Sequence, residues 1–322
     1  MKVLKADAVF EGGGVKGIGL AGAILAMEEA GYRWVNVAGT SAGAIVASLI
    51  AVGYTGKEIK DMLFDVNFKD FSDDTLLTKI PIIGPFISIS TMKGIYSGDS
   101  IENWLRDKYR IKGKEKFKDI KTVFNNGRHR YKLNVIASDV TRKRLIILPE
   151  DIKKYGIDPD ELDIARAVRM SISLPIFFKP VVLKSNEGYN CYIVDGGLLS
   201  NFPVWLFDAK GIPKWPTFGF RFIKASNNKE NLNMNTAQYI LNIISTMMEA
   251  FDERYIEESN FKRTVAIPAL GVGTTEFGIS KEKSMELYNS GYIAAKKFLS
   301  TWNFDRYIRQ YRTKSIYSSI SN

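Results

Sequence analysis

Apolar and polar positions along the first fifty residues predict strands and helices in turn. A short apolar run at residues 8–10 ends in glycines and is typical of a buried strand. Residues 17–30 have the length and composition of a helix, and Gly31 follows as a C-cap. Residues 34–38 predict a second strand, and residues 42–52 predict a buried helix. This strand–helix–strand–helix order predicts a parallel sheet with helices on its faces.

The rest of the chain continues to mix strand and helix patterns. Strands are predicted at residues 133–137, 145–148, 192–194, 217–222 and 265–267, and helices at residues 100–108, 161–170, 236–256 and 281–298. The chain has no internal repeat and no Gly/Ser-rich linker, so we expect a single catalytic domain over residues 1–305. A basic, Ser/Tyr-rich tail at residues 306–322 would follow it.

One apolar segment fits neither a helix nor a central strand. Residues 80–87 have the sequence Ile-Pro-Ile-Ile-Gly-Pro-Phe-Ile, in which two prolines and a glycine break regular structure. Two interpretations remain open for it. It is either a lid or interfacial loop that contacts lipid, or a buried loop that packs on the core.

The composition is that of an ordinary soluble globular protein, with 45% hydrophobic and 25% charged residues. The single cysteine, Cys191, excludes an internal disulfide and a thiolate metal cluster. The N-terminus lacks the apolar stretch of a signal peptide, and no run of about 18 apolar residues predicts a transmembrane helix. We therefore expect a cytoplasmic protein without a metal ion or cofactor.

The net charge of +10 is concentrated in one part of the chain. Residues 105–145, here called the basic block, contain 14 Lys or Arg and 4 Asp or Glu. Such a block attracts anionic lipid headgroups or nucleic acid, although a solvated surface is an equal alternative. Aromatic residues are not interleaved in it as nucleic-acid binding requires. We expect peripheral contact with an anionic membrane and no nucleic acid, and the oligomeric state is left open.

A glycine-rich loop, Gly12-Gly13-Gly14-Val15-Lys16-Gly17, follows the first predicted strand. Its spacing matches the dinucleotide-binding fingerprint, which also requires an acidic residue about 20 positions on, at the end of the second strand. That strand ends in Ala38-Gly39-Thr40-Ser41 without a carboxylate, so nucleotide binding is disfavoured. The alternative is an anion cradle, because glycines leave N–H groups open at a helix N-terminus, where they can hold an oxyanion.

The serine after the second strand lies in Gly39-Thr40-Ser41-Ala42-Gly43, the pattern of a nucleophile elbow. A serine hydroxyl is a weak nucleophile and requires a base. The only histidine, His129, stands between two arginines, which disfavour a protonated imidazole. A carboxylate can serve instead, and Asp195 follows an apolar strand and precedes Gly196 and Gly197. An ordinary Asp-Gly turn is the alternative interpretation of that position.

Together these motifs resemble those of the patatin-like phospholipase family, whose members carry a glycine-rich oxyanion loop, a Gly-x-Ser-x-Gly elbow and an Asp-Gly-Gly motif in this order. A fourth stretch, residues 165–175, also resembles the family, and the resemblance covers roughly residues 8–203. It implies a three-layer α/β/α fold with a mostly parallel central sheet, related to the α/β-hydrolases.

The resemblance also implies roles for individual residues. Ser41 would attack an ester carbonyl of a phospholipid or another acyl lipid, and Asp195 would be the general base of a Ser–Asp dyad without histidine. The remaining motif residues would shape the site: the oxyanion loop Gly12, Gly13, Gly14, Lys16 and Gly17, the elbow glycines Gly39 and Gly43, and Gly196 and Gly197 after the aspartate.

Two other functions remain open from the sequence. An acyltransferase can use the same serine nucleophile, and acyl transfer to a carrier without hydrolysis would distinguish it. A membrane- or nucleic-acid-binding module without turnover would use the basic block alone, but it would leave the three catalytic motifs unexplained.

Overall fold

The computed structural model describes residues 3–66, 93–122, 130–209, 211–223, 239, 243, 246, 258–274, 276 and 278–312. Three sequence-based expectations lie outside these residues: the apolar segment 80–87, His129 and most of the predicted helix 236–256. In the described part of the chain, no helix is long and apolar enough to cross a bilayer. The same residues contain no group of three or more His, Cys, Asp or Glu that could hold a metal ion.

The core is an eight-stranded sheet flanked by helices, which confirms the predicted α/β class with a mostly parallel sheet. Its order is β10-β9-β1-β2-β4-β8-β7, with β5 paired to β4, while β3 and β6 form a separate two-stranded sheet. The first five strands of this order are parallel, and β5, β7 and β8 join through antiparallel pairs. The strands are β1 Leu4–Phe10, β2 Tyr32–Thr40, β3 Gly94–Tyr96, β4 Leu133–Asp139, β5 Arg144–Leu148, β6 Ile176–Phe178, β7 Val181–Lys184, β8 Asn190–Asp195, β9 Thr217–Ile223 and β10 Thr264–Pro268.

The helices of the described residues include the two that the sequence predicts, one between β1 and β2 and one directly after β2. The α-helices are α1 Ile18–Glu29, α2 Ala42–Val52, α3 Gly56–Asp65, α4 Asp99–Ile111, α5 Ile164–Ser171, α6 Glu258–Lys262, α7 Lys281–Thr301 and α8 Phe304–Tyr307. Short 3-10 turns lie at Gly14–Gly17, Phe117–Ile120, Glu150–Tyr155, Pro159–Glu161, Gly196–Leu198 and Val204–Phe207, and a π-helical turn lies at Ile308–Arg312.

The structure differs from the sequence-based prediction at elements with little periodicity. β3, β6 and β7 have three or four residues, which is too short for an alternating pattern to stand out. α3 begins at a capping box formed by Thr55 and Glu58, a local feature of the sequence. α5 begins at Ile164 instead of residue 161, because the Asp163 side chain caps it by accepting a hydrogen bond from the Arg166 N–H at 3.1 Å.

β2 and β8 lie along the same edge of β4. Residues 135–136 of β4 pair with both β2 and β5, so β2 and β5 occupy opposite edges. Residues 137–139 pair with both β5 and β8. β8 therefore takes the edge that β2 leaves after Thr40, and it runs in the opposite direction. The carboxyl ends of the two strands meet head-on, because Thr40 and Asp195 pair with consecutive residues of β4.

α1 and α7 pack backbone against backbone. A Cβ at Gly291 would lie 1.8 Å from the carbonyl oxygen of Gly19, and a Cβ at Gly22 would lie 2.0 Å from that of Tyr288. No side chain fits at either glycine without moving the opposite helix. This contact holds α7 against the helix that follows the glycine-rich loop.

The chain after α7 stays packed as far as Arg312. Tyr307 is buried, and its ring lies 5.5 Å from that of Trp302. The Asp208 carboxylate forms ion pairs with Arg263 at 2.6 Å and with Arg312 at 2.7 Å. The predicted tail therefore begins in a helical, packed segment, and residues 313–322 lie outside the described part.

We expect Gly291→Ala to lower the free energy of unfolding by about 1–3 kcal/mol, the usual range for overpacking. The clash is with backbone and outweighs the gain of about 1 kcal/mol in helix propensity. Urea unfolding followed by circular dichroism measures the change. Gly211→Ala is the control, because a Cβ there meets nothing within 4 Å. Its effect should stay within about 0.5 kcal/mol, and an equal loss in both variants would contradict the prediction.

Candidate active site

Ser41 occupies the sharp turn between β2 and α2. Its φ of 53° and ψ of −126° lie outside the regions that residues with side chains normally adopt. The flanking glycines make room for this turn. A Cβ at Gly39 would lie 2.2 Å from the carbonyl oxygen of Gly43, and a Cβ at Gly43 would lie 2.3 Å from that of Phe10. The turn therefore has the geometry of a nucleophile elbow.

Asp195 ends β8 and has only 1% of its surface exposed. Its carboxylate accepts a hydrogen bond from the Gly197 N–H at 2.8 Å, and the Ser41 hydroxyl lies close enough to lower its pKa. Burial raises the pKa of Asp195 from 3.8 to about 6, and the Gly197 N–H and the Ser41 hydroxyl offset part of that rise. A Cβ at Gly196 would lie 2.3 Å from the Ile136 carbonyl oxygen, so the turn after Asp195 packs directly on β4. The fold thus brings together the serine and the carboxylate selected from the sequence.

A raised pKa alone does not identify a base. Burial also raises the pKa of Asp7 to about 6, but Asp7 lies within β1. Its carboxylate accepts hydrogen bonds from the Asn36 backbone N–H at 3.0 Å and side chain at 2.8 Å. The contact with the Ser41 hydroxyl is what distinguishes Asp195.

The glycine-rich loop lies directly beside the serine. A Cβ at Gly12 would lie 3.1 Å from the Ser41 Cβ. Gly14 has a φ of +56°, and a Cβ there would lie 1.8 Å from the Thr274 carbonyl oxygen. The loop then enters the 3-10 turn Gly14–Gly17. The backbone N–H groups of a turn beside a serine are donors of the kind from which oxyanion holes are built.

The other loop residues contact β9 and α2. A Cβ at Gly13 would lie 2.7 Å from the Phe222 ring, and a Cβ at Gly17 would lie 3.3 Å from the Ala42 Cβ. The Lys16 ammonium group lies 5.4 Å from the centre of the Phe222 ring, which is a cation–π contact. The positive charge of Lys16 is therefore held against β9 within the loop that borders Ser41.

Two residues that the sequence analysis did not select hold this loop from both sides. The buried Glu11 carboxylate accepts hydrogen bonds from the Phe222 N–H at 2.5 Å and from Arg221 Nε at 3.2 Å. The Asn201 side chain donates to the Gly12 carbonyl at 3.1 Å, and the Gly12 N–H donates to the Asn201 carbonyl at 3.1 Å. These contacts join segments 189 and 210 residues apart, which no local pattern reveals.

The fourth family-like stretch, residues 165–175, reaches both Ser41 and Asp195. The Ser171 hydroxyl accepts a hydrogen bond from the Ser41 N–H at 2.9 Å. The Ser173 carbonyl accepts one from the Asp195 N–H at 2.9 Å. The sequence analysis assigned these serines no role, although the position of the stretch in the motif order marks it.

The basic block is offset by acids from neighbouring segments. Its partners outside the block are Glu58, Glu102, Asp160, Glu161, Asp163 and Glu187. Eight cations of the basic block lie in ion pairs: Arg106, Arg110, Lys112, Lys116, Lys118, Lys121, Arg130 and Arg142. Lys143 and Arg144, in contrast, are exposed and form no ion pair within the described residues.

The order of the sheet and the position of Ser41 beside the buried Asp195 define the class of the protein. It is an α/β protein built around a nucleophile elbow. The chain belongs to the patatin-like phospholipase family, because the sequence profile described as Patatin-like phospholipase matches residues 8–208. The match includes all four motifs and confirms the resemblance found over residues 8–203. Family membership supports lipid hydrolase activity in general.

Similar proteins extend this comparison. YqhO of Bacillus subtilis (strain 168) is 39% identical over 300 residues, which cover 92% of this chain and 99% of that protein. A protein of Invertebrate iridescent virus 6 named probable lipid hydrolase 463L is 28% identical over 204 residues, 61% of each chain. The crystal structure of VipD from Legionella pneumophila has a TM-score of 0.55 at 18% identity, covering 92% of this chain and 67% of that one. This last likeness concerns the fold.

We expect Asp195→Asn to stabilise the protein at pH 8, because the wild-type carboxylate must then be ionised while buried. The folded pKa of about 6 exceeds the ordinary value of 3.8, so protonation of Asp195 stabilises the fold at low pH. That contribution is lost as the pH rises through 6. The gain should be on the order of 1–3 kcal/mol at pH 8 and should shrink towards pH 4.

Urea unfolding of both proteins at pH 4 and pH 8 measures this difference. A gain of equal size at the two pH values would contradict a raised pKa, since it would arise without titration of Asp195.

Proposed function

We propose that the protein hydrolyses carboxylic esters of membrane lipids, as a phospholipase A or lysophospholipase, through a Ser41–Asp195 dyad. The observation that carries this proposal is the position of Ser41 beside the buried Asp195 carboxylate, where β2 and β8 meet on β4 and the serine hydroxyl lowers the pKa of Asp195. The family supplies the substrate class, and the viral relative named a probable lipid hydrolase supports it.

In the first half-reaction, Ser41 Oγ attacks the ester carbonyl carbon while Asp195 accepts the hydroxyl proton. The carbonyl electrons move to oxygen, and the N–H groups of Gly13 and Gly14 stabilise this oxyanion. The ester C–O bond then breaks, and the leaving alcohol takes the proton from Asp195. An acyl ester on Ser41 remains.

In the second half-reaction, water attacks the acyl carbonyl while Asp195 accepts a proton from it. The bond between the acyl carbon and Ser41 Oγ breaks, and the proton returns from Asp195 to the serine oxygen. One water is consumed, and a fatty acid and a lysolipid or alcohol are released. A pKa of about 6 leaves Asp195 ionised at neutral pH, yet makes it more basic than an ordinary aspartate.

The position of the glycine-rich loop supports the oxyanion role. Gly12 approaches Ser41 so closely that a Cβ there would contact the serine side chain. Glu11 and Asn201 fix the loop before any substrate arrives, so its N–H groups need no rearrangement during the reaction. Preorganised donors of this kind stabilise the transition state more than the ground state.

We expect Ser41→Ala and Asp195→Asn each to lower the turnover of phospholipid vesicles by about 10³-fold or more, as for loss of a nucleophile or its base. His129→Ala should leave turnover within about twofold of wild type. Mass spectrometry of the released fatty acid and lysolipid measures the reaction, and circular dichroism checks that each variant is folded. A loss in His129→Ala that matches that of Ser41→Ala would contradict the dyad.

The same product analysis separates hydrolysis from acyl transfer. Free fatty acid in stoichiometric amount indicates that water is the acceptor. An acylated alcohol or carrier formed without free fatty acid would indicate the acyltransferase instead.

The proposed function also includes peripheral contact with anionic membranes. Eight of the 14 cations of the basic block already lie in ion pairs, so membrane contact would use cations without an acidic partner. Lys143 and Arg144, which precede and begin β5, are exposed cations of this kind. Each cation near an anionic surface contributes about 1 kcal/mol at low salt.

We expect the double substitution of Lys143 and Arg144 by Gln to weaken binding to vesicles that contain phosphatidylserine, by about tenfold at low salt. The matched double substitution of Lys116 and Lys118 should change binding less, because both cations already pair with Glu161 at 2.6 and 2.8 Å. Co-sedimentation at low and high salt measures the two variants. An equal loss in both would indicate that the whole block, with its ion pairs, faces the lipid.

A further inference from the structure

The end of α5 contains two buried serines that the dyad mechanism does not use. Ser171 is the last residue of α5 and Ser173 follows it, and both have 0% of their surface exposed. They lie in the stretch 165–175, which the sequence singles out together with the loop, elbow and Asp motifs.

The Ser171 hydroxyl bridges the elbow and the central strand. It accepts a hydrogen bond from the Ser41 N–H at 2.9 Å and donates one to the Ile136 carbonyl at 2.6 Å. Ile136 is also the residue of β4 that pairs with Thr40. The hydroxyl therefore closes the gap at the point where β2 leaves the edge of β4 and the chain turns into α2.

Ser41 needs such a partner because its backbone is held in an unfavourable conformation. A φ of +53° at a residue with a side chain persists only where the surroundings fix it. Ser41 is also the N-cap of α2, and its side chain forms no capping hydrogen bond. The Ser171 hydroxyl thus satisfies the N–H of the residue that carries the backbone strain.

The same segment holds the other half of the dyad. The Ser173 carbonyl accepts the Asp195 N–H at 2.9 Å, two residues after the contact with Ser41. Ser173 is itself fixed, since its hydroxyl donates to the Arg169 carbonyl at 2.7 Å and accepts from the Arg169 guanidinium. Arg169 is 2% exposed and also donates to the Lys179 carbonyl at 2.8 Å. Three consecutive residues at the end of α5 therefore link the nucleophile to the carboxylate.

We propose that Ser171 is a positioning residue for the reaction, whose hydroxyl holds the Ser41 backbone so that Oγ faces both the Asp195 carboxylate and the ester carbon. This inference rests on the proposed function. It concerns the orientation of the nucleophile and leaves lipid binding unchanged. Removal of the hydroxyl therefore lowers kcat and leaves KM as it is, because an oriented nucleophile accelerates only the chemical step.

A buried serine also contributes to packing, so the test must separate the two roles. Ser171→Thr and Ser171→Val add the same bulk and differ only in the hydroxyl, which makes them a matched pair. Ser48→Ala controls for loss of a buried serine, because Ser48 is equally buried and accepts the Tyr109 hydroxyl in the second half of α2. It has no contact with the dyad among its hydrogen bonds.

The experiment measures kcat and KM on lysolipid micelles for wild type, Ser171→Ala, Ser171→Thr, Ser171→Val and Ser48→Ala. It also measures the rate at which a fluorophosphonate labels Ser41, which does not depend on the lipid chosen. We expect Ser171→Ala to lower kcat and the labelling rate by about 10–100-fold with KM within about twofold. The kcat and the labelling rate of Ser171→Thr should exceed those of Ser171→Val by about tenfold. Both quantities should match wild type in Ser48→Ala.

Equal rates for Ser171→Thr and Ser171→Val, or wild-type rates for Ser171→Ala, would overturn the inference. If Ser171→Ala does not fold, the matched pair decides alone. Failure of the proposed function gives a different result. Wild type would then release no fatty acid from any lipid, while the labelling rates of wild type and the Ser171 variants could still be compared.

Discussion

The site depends on the way in which two strands share one edge of β4. β2 runs along the first half of that edge and β8 enters along the second half from the opposite direction. Hydrogen bonds to consecutive residues of β4 fix where each strand stops. The elbow that follows β2 and the aspartate that ends β8 are therefore held at one position by sheet register, and neither depends on a long, mobile side chain to reach the other.

The glycines complete this arrangement by allowing backbone to approach backbone. Gly39 and Gly43 allow the backbone of the elbow to pack closely on itself and on β1. Gly196 allows the turn after Asp195 to lie against Ile136. Gly12 brings the glycine-rich loop into contact with Ser41. Burial raises the pKa of Asp195 and thereby makes its carboxylate a stronger base. The same burial destabilises the ionised form, so basicity and stability oppose each other at this residue.

The sequence predicted the parts of this protein that local pattern controls. Apolar runs located β1, β2, α1 and α2, and the motif order selected Ser41 and Asp195. It also predicted an apolar strand before Asp195, but it did not indicate that this strand, β8, runs antiparallel to β4. Strand direction is set by pairing across the sheet, which a local window does not contain. The anchors Glu11, Asn201 and Ser171 were missed for the same reason, as were the ion pairs of the basic block with Glu161 and other acids.

The shared edge of β4 also has a consequence for how the site comes into being. The strand–helix–strand–helix unit that carries Ser41 consists of local connections and emerges first during synthesis. Its partner on β4 emerges about 150 residues later. A chain that ends before Cys191 has the elbow and the glycine-rich loop but lacks Asp195, the proposed base, and half of one edge of β4 stays unpaired. The proposed dyad is therefore assembled only when β8 docks on the part of the β4 edge that β2 leaves open.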